Sequence, residues 1–549
     1  MDNNEEKLPG YSNIRQPQST SNPYAPFIYA LILAFGVMLG FVINSITIGK
    51  QTMGSQNYDK VEDVLNYISF KYVDTINRAQ LVDKSIDKIL SNLDPHSVYI
   101  PAKDLGEMNE SLEGNFEGIG IEFFIVQDTI TVVTAIAGGP SELVGLKAGD
   151  RIVKIEDSVV AGVKIKDVTV KQRLRGPAGT KVRVTVMRSG SPKLLDFQIS
   201  RDKIPLYSID AAYMATSDIG YIRITSFSAN THEEFVDKLH QLLDKGMKKL
   251  IIDLRGNPGG YLQAATAIAD ELISGDKLLV YTKGKAYDRQ DYLAGKPGLF
   301  EKGDLCLLID QGSASASEIL SGAIQDWDRG TIIGRTSFGK GLVQEQYELK
   351  DGSALRLTIA RYYTPSGRCI QRPYDKGTDE YYNEIYDRYS RGEFVHEDSI
   401  ASRDTTVYKT SKGRRVYGGG GIRPDIFVPM DTTSESEYFY AVRSFIPEFV
   451  YKYSSLHADM LGKFKDEEDF KKDYVVSDEM VSDFYKYAMA AGLKPNEARK
   501  AKVVDKVKLN LKAFLAKQVW RMDGYYYILN PGDNVVNTAI DKLNNTSIK

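Results

Sequence analysis

With 549 residues, 42% of them hydrophobic, the chain is long enough for about three or four domains with ample core. Its formal net charge of −3, from 70 Lys and Arg against 73 Asp and Glu, gives no basic excess for nucleic acid. Two cysteines, Cys306 and Cys369, exclude a disulfide scaffold, and the five histidines include no close pair with metal-ligand spacing, so no metal site is expected.

Residues 1–23 are polar and rich in Asn, Pro and Ser, a composition expected to stay disordered. Residues 24–49 carry no charge. Within them, Phe27 to Ile43 reads FIYALILAFGVMLGFVI, about long enough to cross a hydrocarbon core. A cleaved signal peptide is the rival reading. The long polar flank and the lack of an Ala-x-Ala site favour an uncleaved transmembrane signal anchor. Lys7 and Arg15 before the segment and Lys50 after it leave its orientation open.

Residues 57–112 show helical patterns in VEDVLNYISFKYV and AQLVDKSIDKILSNL. In residues 115–200 three blocks resemble a PDZ domain: GIGIEF from Gly118, GLKAGDRIVKI from Gly145 and GPAGTKVRVTVMR from Gly176. The first resembles a carboxylate-binding loop. There Gly118, Ile119, Gly120 and Ile121 would present successive backbone N–H groups to the terminal carboxylate of a peptide. Glycine lets that peptide approach the backbone closely. Arg175 lies at a loop edge between a helix-like run and the strand KVRVTVMR, where its plain reading is a solvated side chain.

Residues 201–430 alternate strands and helices, the pattern of an α/β core. KKLIIDLRG reads as a buried strand ending at a turn, and GDLCLLID as another leading into GSASASEILSGA, Gly312 to Ala323. A second stretch, GRTSFGKGLVQ, holds Lys340 between glycines. A serine becomes a useful nucleophile when a base takes its proton. A lysine serves as that base when burial lowers its pKa. Ser315 and Lys340 therefore point to a serine hydrolase. The plain alternatives are a helix N-cap for the serine and an exposed loop lysine. Gly334 to Lys340 also falls one residue short of a phosphate-binding loop. Gly341 stands where that loop needs Ser or Thr, and the following GLVQEQYEL alternates as a strand, so no ATP binding is expected. Gln344, four residues past Lys340 in that strand, would project to the same face. An oxyanion needs pointed N–H donors. Ala316 is one candidate, and the pair Gly259 and Gly260 in GNPGG is the other, against the alternative of an ordinary turn. Residues 435–549 carry amphipathic helical runs and enough apolar content for a folded extension whose function is not readable.

Taken together, SASASEILSGAIQD, TSFGKGLVQ, DLRGNPGG, LTIARYYTPSGRCIQ and GGIRPDIFV resemble the catalytic core of the C-terminal processing peptidases, or tail-specific proteases. LDPHSVYIPAKD fits upstream, so the resemblance covers residues 60–430. It implies a Ser–Lys dyad of Ser315 and Lys340, separated by 340 − 315 = 25 positions, with Gln344 orienting the lysine amine. Cys369 departs from a serine common in relatives but lies outside the dyad. The resemblance further implies a regulatory PDZ arginine, here Arg175, no cofactor, and a homodimer supported by the N-terminal helices, whose plainer reading is a packed helical collar. It also implies action outside the cytoplasm.

The expected fold class is multidomain α/β: an N-terminal transmembrane helix, a helical region, a PDZ domain, a mixed α/β catalytic core and a mainly helical C-terminal extension. The expected protein is a membrane-anchored serine endopeptidase with residues 50–549 extracytoplasmic, in the periplasm where the envelope has one. It would cleave proteins or peptides with exposed C-termini. The alternative is a catalytically silent, membrane-tethered PDZ scaffold that captures protein tails.

Overall fold

The computed structural model describes residues 24–51, 58–136, 138–400, 406–431 and 437–545. It forms two units, residues 1–86 and 87–549. The expected disordered tail, residues 1–23, lies outside the described residues. The first unit holds the helices Ala25–Gln51 and Tyr58–Lys71, and the helix Arg78–Leu90 begins in it. Among the described residues, no helix is long and apolar enough to cross a membrane. Of the expected span, Phe41 to Ile43 lie outside the described side chains.

In the second unit, five strands run Ile121–Val126, Thr129–Ala135, Arg151–Ile155, Lys181–Met187 and Leu195–Ser200 in sheet order, with Ser158–Val159 paired to the third. The helix Asp167–Leu174 accompanies them, and Ile130, Val132, Ile152, Val170, Val184 and Ile199 form their core. This sheet leaves Ile121–Val126 at an edge among the described strands. An antiparallel ribbon, Asn115–Gly118 with Asp202–Pro205, leads into and out of it.

The catalytic region is built on a six-stranded sheet in the order Ile209–Met214, Ile219–Ile224, Lys249–Asp253, Leu305–Ile309, Thr331–Gly334 and Ile426–Phe427. Only the first pair is antiparallel. Parallel strands need both faces covered, which explains the unbroken apolar runs KLIID and LCLLI. The period of two divides those runs between two cores. Leu250, Ile252, Leu305, Leu307 and Ile309 pack on one side with the helices Thr231–Asp244, Leu262–Leu272 and Ala316–Asp326. Ile251, Cys306 and Leu308 face the other side, where Val535, Val536, Ala539 and Leu543 of the helix Asn534–Asn545 cover them. The C-terminal extension therefore supplies the second cover of the catalytic sheet.

A further five-stranded sheet contains Val98–Ile100, Leu278–Gly284, Gln290–Leu293, Leu342–Glu348 and Ala354–Tyr363, with the last two paired antiparallel. The rest of the extension is helical around its own core, which includes Val442, Phe449, Phe470, Phe484, Val507 and Leu511. It also touches the PDZ-like sheet, where the Tyr451 hydroxyl donates to Val132 O at 3.0 Å.

Candidate active site

Six residues separate the end of the strand Leu305–Ile309 from the start of the helix Ala316–Asp326, and the turn they form is fixed by its small side chains. Ser313 and Ser317 are fully buried, and their hydroxyls donate to Leu254 O at 2.8 Å and Asn257 O at 3.0 Å. Ser315 keeps partial exposure. It has φ +54° and ψ −112° at the helix N-cap, a strained backbone for a residue with a Cβ. Among the three serines of SASAS, Ser315 is thus the one left partly exposed.

Next to it runs the loop that follows the strand Lys249–Asp253. Asn257 O accepts from Ala314 N at 2.9 Å, and the Asn257 side chain donates to Ile224 O at 2.9 Å. Gly259 has φ +98°, and a Cβ there would meet Ser315 Cβ at 2.8 Å and Ala316 N at 2.9 Å. Gly260 has φ +146° with Phe227 O where a Cβ would stand, so both glycines are sterically required. Of the expected N–H donors, Gly259 N is already committed to Asn257 Oδ1 at 2.8 Å. Among the described residues, the amides of Gly260 and Ala316 make no hydrogen bond.

The lysine loop joins Thr331–Gly334 to Leu342–Glu348. A strand follows Lys340 where a phosphate-binding loop would open a helix. Lys340 Nζ donates to Gln344 Oε1 at 2.9 Å, and Gln344 Nε2 donates to His96 O. Burial, reinforced by the Arg356 guanidinium, holds the Lys340 amine below its ordinary pKa, against the pull of Asp94 and Glu318. His96 is pushed down to about 3 by burial and by Lys340, so it is neutral at ordinary pH. Its Nε2 shares a hydrogen bond of 2.9 Å with the Tyr381 hydroxyl. Asp94 holds this turn by accepting from His96 N at 2.8 Å, Ser97 N at 2.9 Å and the Thr358 hydroxyl at 3.0 Å.

Two buried groups bind the serine turn to the lysine loop. Glu318 Oε2 accepts from Ser315 N at 2.8 Å and Lys340 N at 2.9 Å. Its Oε1 accepts from Gly339 N at 2.7 Å and the Ser337 hydroxyl at 2.5 Å. Burial raises the Glu318 carboxyl pKa, while these four donors favour the charged form. The Tyr362 hydroxyl lies between Lys340 O at 2.8 Å and Ser315 O at 3.1 Å. Neither Glu318 nor Tyr362 was singled out from the sequence. The spacing Ser315-x-x-Glu318 is a capping-box signal that would have found the first; Tyr362 had no local signal.

In the PDZ-like region, Ile119 is buried and its carbonyl accepts from the Ser141 hydroxyl at 2.6 Å. Gly118 ends the ribbon, Gly120 has φ +69°, and Ile121 starts the edge strand. Arg175 Nη1 donates to both Glu110 oxygens at 2.8 and 2.9 Å, and its guanidinium stacks 4.9 Å from the Phe116 ring. It is paired, not merely solvated. Cys306 and Cys369 are not joined in a disulfide, and burial pushes the Cys306 thiol up to about 12. Among the described residues, no cluster of three or more His, Cys, Asp or Glu is placed to hold a metal ion.

Residues 218–379 match peptidase family S41, residues 118–199 match a PDZ domain, and residues 438–521 match a family of unknown function. The carboxy-terminal-processing protease of Bartonella bacilliformis is 34% identical over 349 residues, covering 63% of this chain and 79% of that protein. This chain belongs to the carboxy-terminal processing proteases of family S41. The Bacillus subtilis carboxy-terminal processing protease CtpB is 36% identical over 320 residues, covering 57% of this chain and 65% of that protein, just under two thirds of its length. Among solved structures, a photosystem II D1 C-terminal processing protease is 26% identical with a TM-score of 0.35, covering 69% of this chain and 88% of that one.

Proposed function

We propose that this protease hydrolyses peptide bonds through Ser315 as nucleophile and Lys340 as general base, without a cofactor. The observation that carries the reading is the shared anchoring of the two residues by Glu318 and Tyr362. Neutral Lys340, held by Gln344, takes the Ser315 proton as the hydroxyl attacks the scissile carbonyl. The amides of Ala316 and Gly260 then receive the developing oxyanion. Lys340 protonates the leaving amine and afterwards activates the water that releases the acyl group. The loop Gly118 to Ile121 receives a substrate's terminal carboxylate, and the open edge of Ile121–Val126 takes its tail as an added strand. Substrates are therefore proteins with exposed C-termini, cleaved near those ends. No observation favours the silent scaffold.

The uncharged run from Tyr24 to Gly49, with exposed Phe27, Leu31, Leu33, Phe35 and Met38, supports a membrane anchor, and we infer that residues 50–549 lie outside the cytoplasm. Exposed Val61, Val64, Tyr67 and Phe70 recur every third residue on the helix Tyr58–Lys71 and support self-association there. The test is full-length protein, purified from washed membranes, incubated with an unfolded protein. Wild type cleaves it, while Ser315→Ala and Lys340→Ala do not. Cleavage by Ser315→Ala would remove the nucleophile assignment, and recovery of the protein in the alkaline wash would remove the anchor.

A further inference from the structure

We infer that Asp533, in the C-terminal extension, is a positioning residue for the oxyanion loop of the protease site. The inference rests on the reading of Gly260 and Ala316 given above.

The loop that carries Gly260 grows out of a buried ion cluster. Asp253, at the end of its strand, is fully buried and accepts from the Tyr221 hydroxyl at 2.7 Å. Arg255 reaches back to it through Nε at 2.9 Å and Nη2 at 2.6 Å, and Arg223 pairs with it at 2.9 Å. Burial opposes the charge on Asp253, but Arg255 and Arg223 win and hold its carboxyl well below the usual range. One carboxylate thus faces two guanidinium groups. The second carboxylate comes from far along the chain: Arg255 Nη1 donates to Asp533 Oδ2 at 2.8 Å.

Asp533 is itself held. Its Oδ1 accepts from Val535 N at 2.9 Å and Val536 N at 3.2 Å, which caps the helix Asn534–Asn545. That helix lies on the back of the catalytic sheet through Val535, Val536, Ala539 and Leu543. Nearby, Asp523 accepts from Ala212 N at 2.7 Å, and Asn530 donates to the Tyr213 hydroxyl at 2.6 Å. The carboxylate that meets Arg255 is therefore fixed to the sheet and not to a mobile tail.

From Arg255 the route to the chemistry is short and covalent. Five residues later comes Gly260. Between them, Asn257 O accepts from Ala314 N and from the Ser317 hydroxyl, which flank Ser315 on either side. Asn257 Oδ1 holds Gly259 N. A shift of Arg255 would move this loop against Ser315, and misplacing catalytic groups by about 1 Å costs up to about 10²-fold in rate. Asp533 lies beyond residues 438–521, the part of the extension that matches a family of unknown function, and its contact gives the end of the extension a task.

Asp533→Asn separates the two duties of the side chain. Asn caps a helix as well as Asp does, so the helix keeps its start, while the charge facing Arg255 is lost. The full-length variant is expected to lose about tenfold in kcat with KM unchanged, less than the ~10²–10³ that removing an oxyanion donor costs. Its affinity for a peptide boronate, which makes a tetrahedral adduct with a serine hydroxyl, should fall by a similar factor. In a Ser315→Ala background the affinity for an uncleaved tail peptide should not change. Asp533→Glu keeps the charge and should recover most of the rate. Asp478→Asn removes an exposed pair with Lys508 in the same extension and should leave kcat untouched.

A folded Asp533→Asn protein with wild-type kcat and boronate affinity overturns the inference. So does an equal loss of tail binding, or an Asp533→Glu variant as slow as Asp533→Asn; the Glu variant decides the matter if the Asn protein does not fold. Failure of the parent reading is recognised separately, by cleavage that survives Ser315→Ala.

Discussion

Two glycine-bearing loops of this protease are held in opposite ways. The loop from Asn257 to Gly260 is pinned on every side: Asn257 spends its carbonyl and both ends of its side chain, and Gly259 its N–H and C=O. The loop from Gly118 to Ile121 is anchored mainly from behind, through Ile119 O to Ser141 and Gly120 O to Ile136 N, and it opens onto an edge strand. The difference follows from the tasks proposed for them. Stabilising a transient oxyanion requires donors that do not reorganise during the reaction. Receiving a variable peptide tail requires an unpaired edge. The attachment of the two regions repeats the contrast. The serine and lysine segments share a fully buried carboxylate, whereas the PDZ domain meets the rest through a ribbon and half-exposed contacts such as Arg175 with Glu110.

If the rigid side of this comparison is right, breaking Glu318 has the largest effect. Glu318→Ala leaves Ser315 N, Lys340 N, Gly339 N and the Ser337 hydroxyl without their acceptor. Each unsatisfied buried donor costs about 1–3 kcal/mol, and the four are not additive, so a net loss of about 3–5 kcal/mol is expected. Peptide hydrolysis should fall by about 10²-fold or more, because both catalytic segments lose their common anchor. Thermal melting and hydrolysis measured together check this. An Ala variant that melts and cleaves like wild type would show that the segments are positioned by something else.

The candidate residues were legible in the sequence; their long-range supports were not. Ser315, Lys340 and Gln344 declare themselves because small residues, glycines and a strand period surround them. Lys340 and Gln344 meet at 2.9 Å, as two side chains on one face of a strand can. Glu318 is legible as a helix cap, but its grip on Gly339 and Lys340 depends on tertiary folding. Gly259 was expected as a donor with Gly260, and only the fold reveals that Asn257 already occupies its amide. The amphipathic pattern of the last helices announced a buried face without saying which surface it meets. That Asp533 reaches Arg255, 278 positions away, has no local signal at all.

A finer test of the rigid side is electrostatic. Arg356 lies on the strand paired with the one carrying Gln344, donates to Asn109 Oδ1 at 3.0 Å and Gln346 Oε1 at 2.9 Å, and acts on Lys340 as a like charge. In the proposed mechanism the active base is the neutral amine, so activity should rise as pH climbs through the lowered Lys340 pKa. Arg356→Gln removes a charge that disfavours the ammonium, so the Lys340 pKa rises. The acid limb of the kcat/KM profile then moves to higher pH, with activity recovering above it. A limb that stays in place, or moves to lower pH, would leave burial as the sole cause of the shift.

The smallest effect is expected where the comparison predicts looseness, at Arg175. This side chain joins the end of the helix Asp167–Leu174 to Glu110 on the helix Ala102–Glu113, with side-chain exposures of 31% and 20%. Burial raises the Glu110 pKa while Arg175 opposes it, so the pair stays in contact with water and spends part of its attraction on desolvation. An ion pair this exposed is worth about 0–1 kcal/mol, and stacking on Phe116 adds a comparable amount. If the contact biases the PDZ domain toward the arrangement that assembles the site, it shifts that equilibrium by no more than this energy. Arg175→Ala should therefore slow hydrolysis by about two- to fivefold, the factor that ~0.5–1 kcal/mol corresponds to. Glu110→Gln, which keeps the stacking on Phe116, should slow it by less, and the double variant should do no more than Arg175→Ala alone. Tail-peptide affinity, measured in the Ser315→Ala background, should stay constant in all three. Unchanged rates would make the pair a surface ornament of the fold, and a matching loss of tail affinity would make Arg175 part of the binding groove instead.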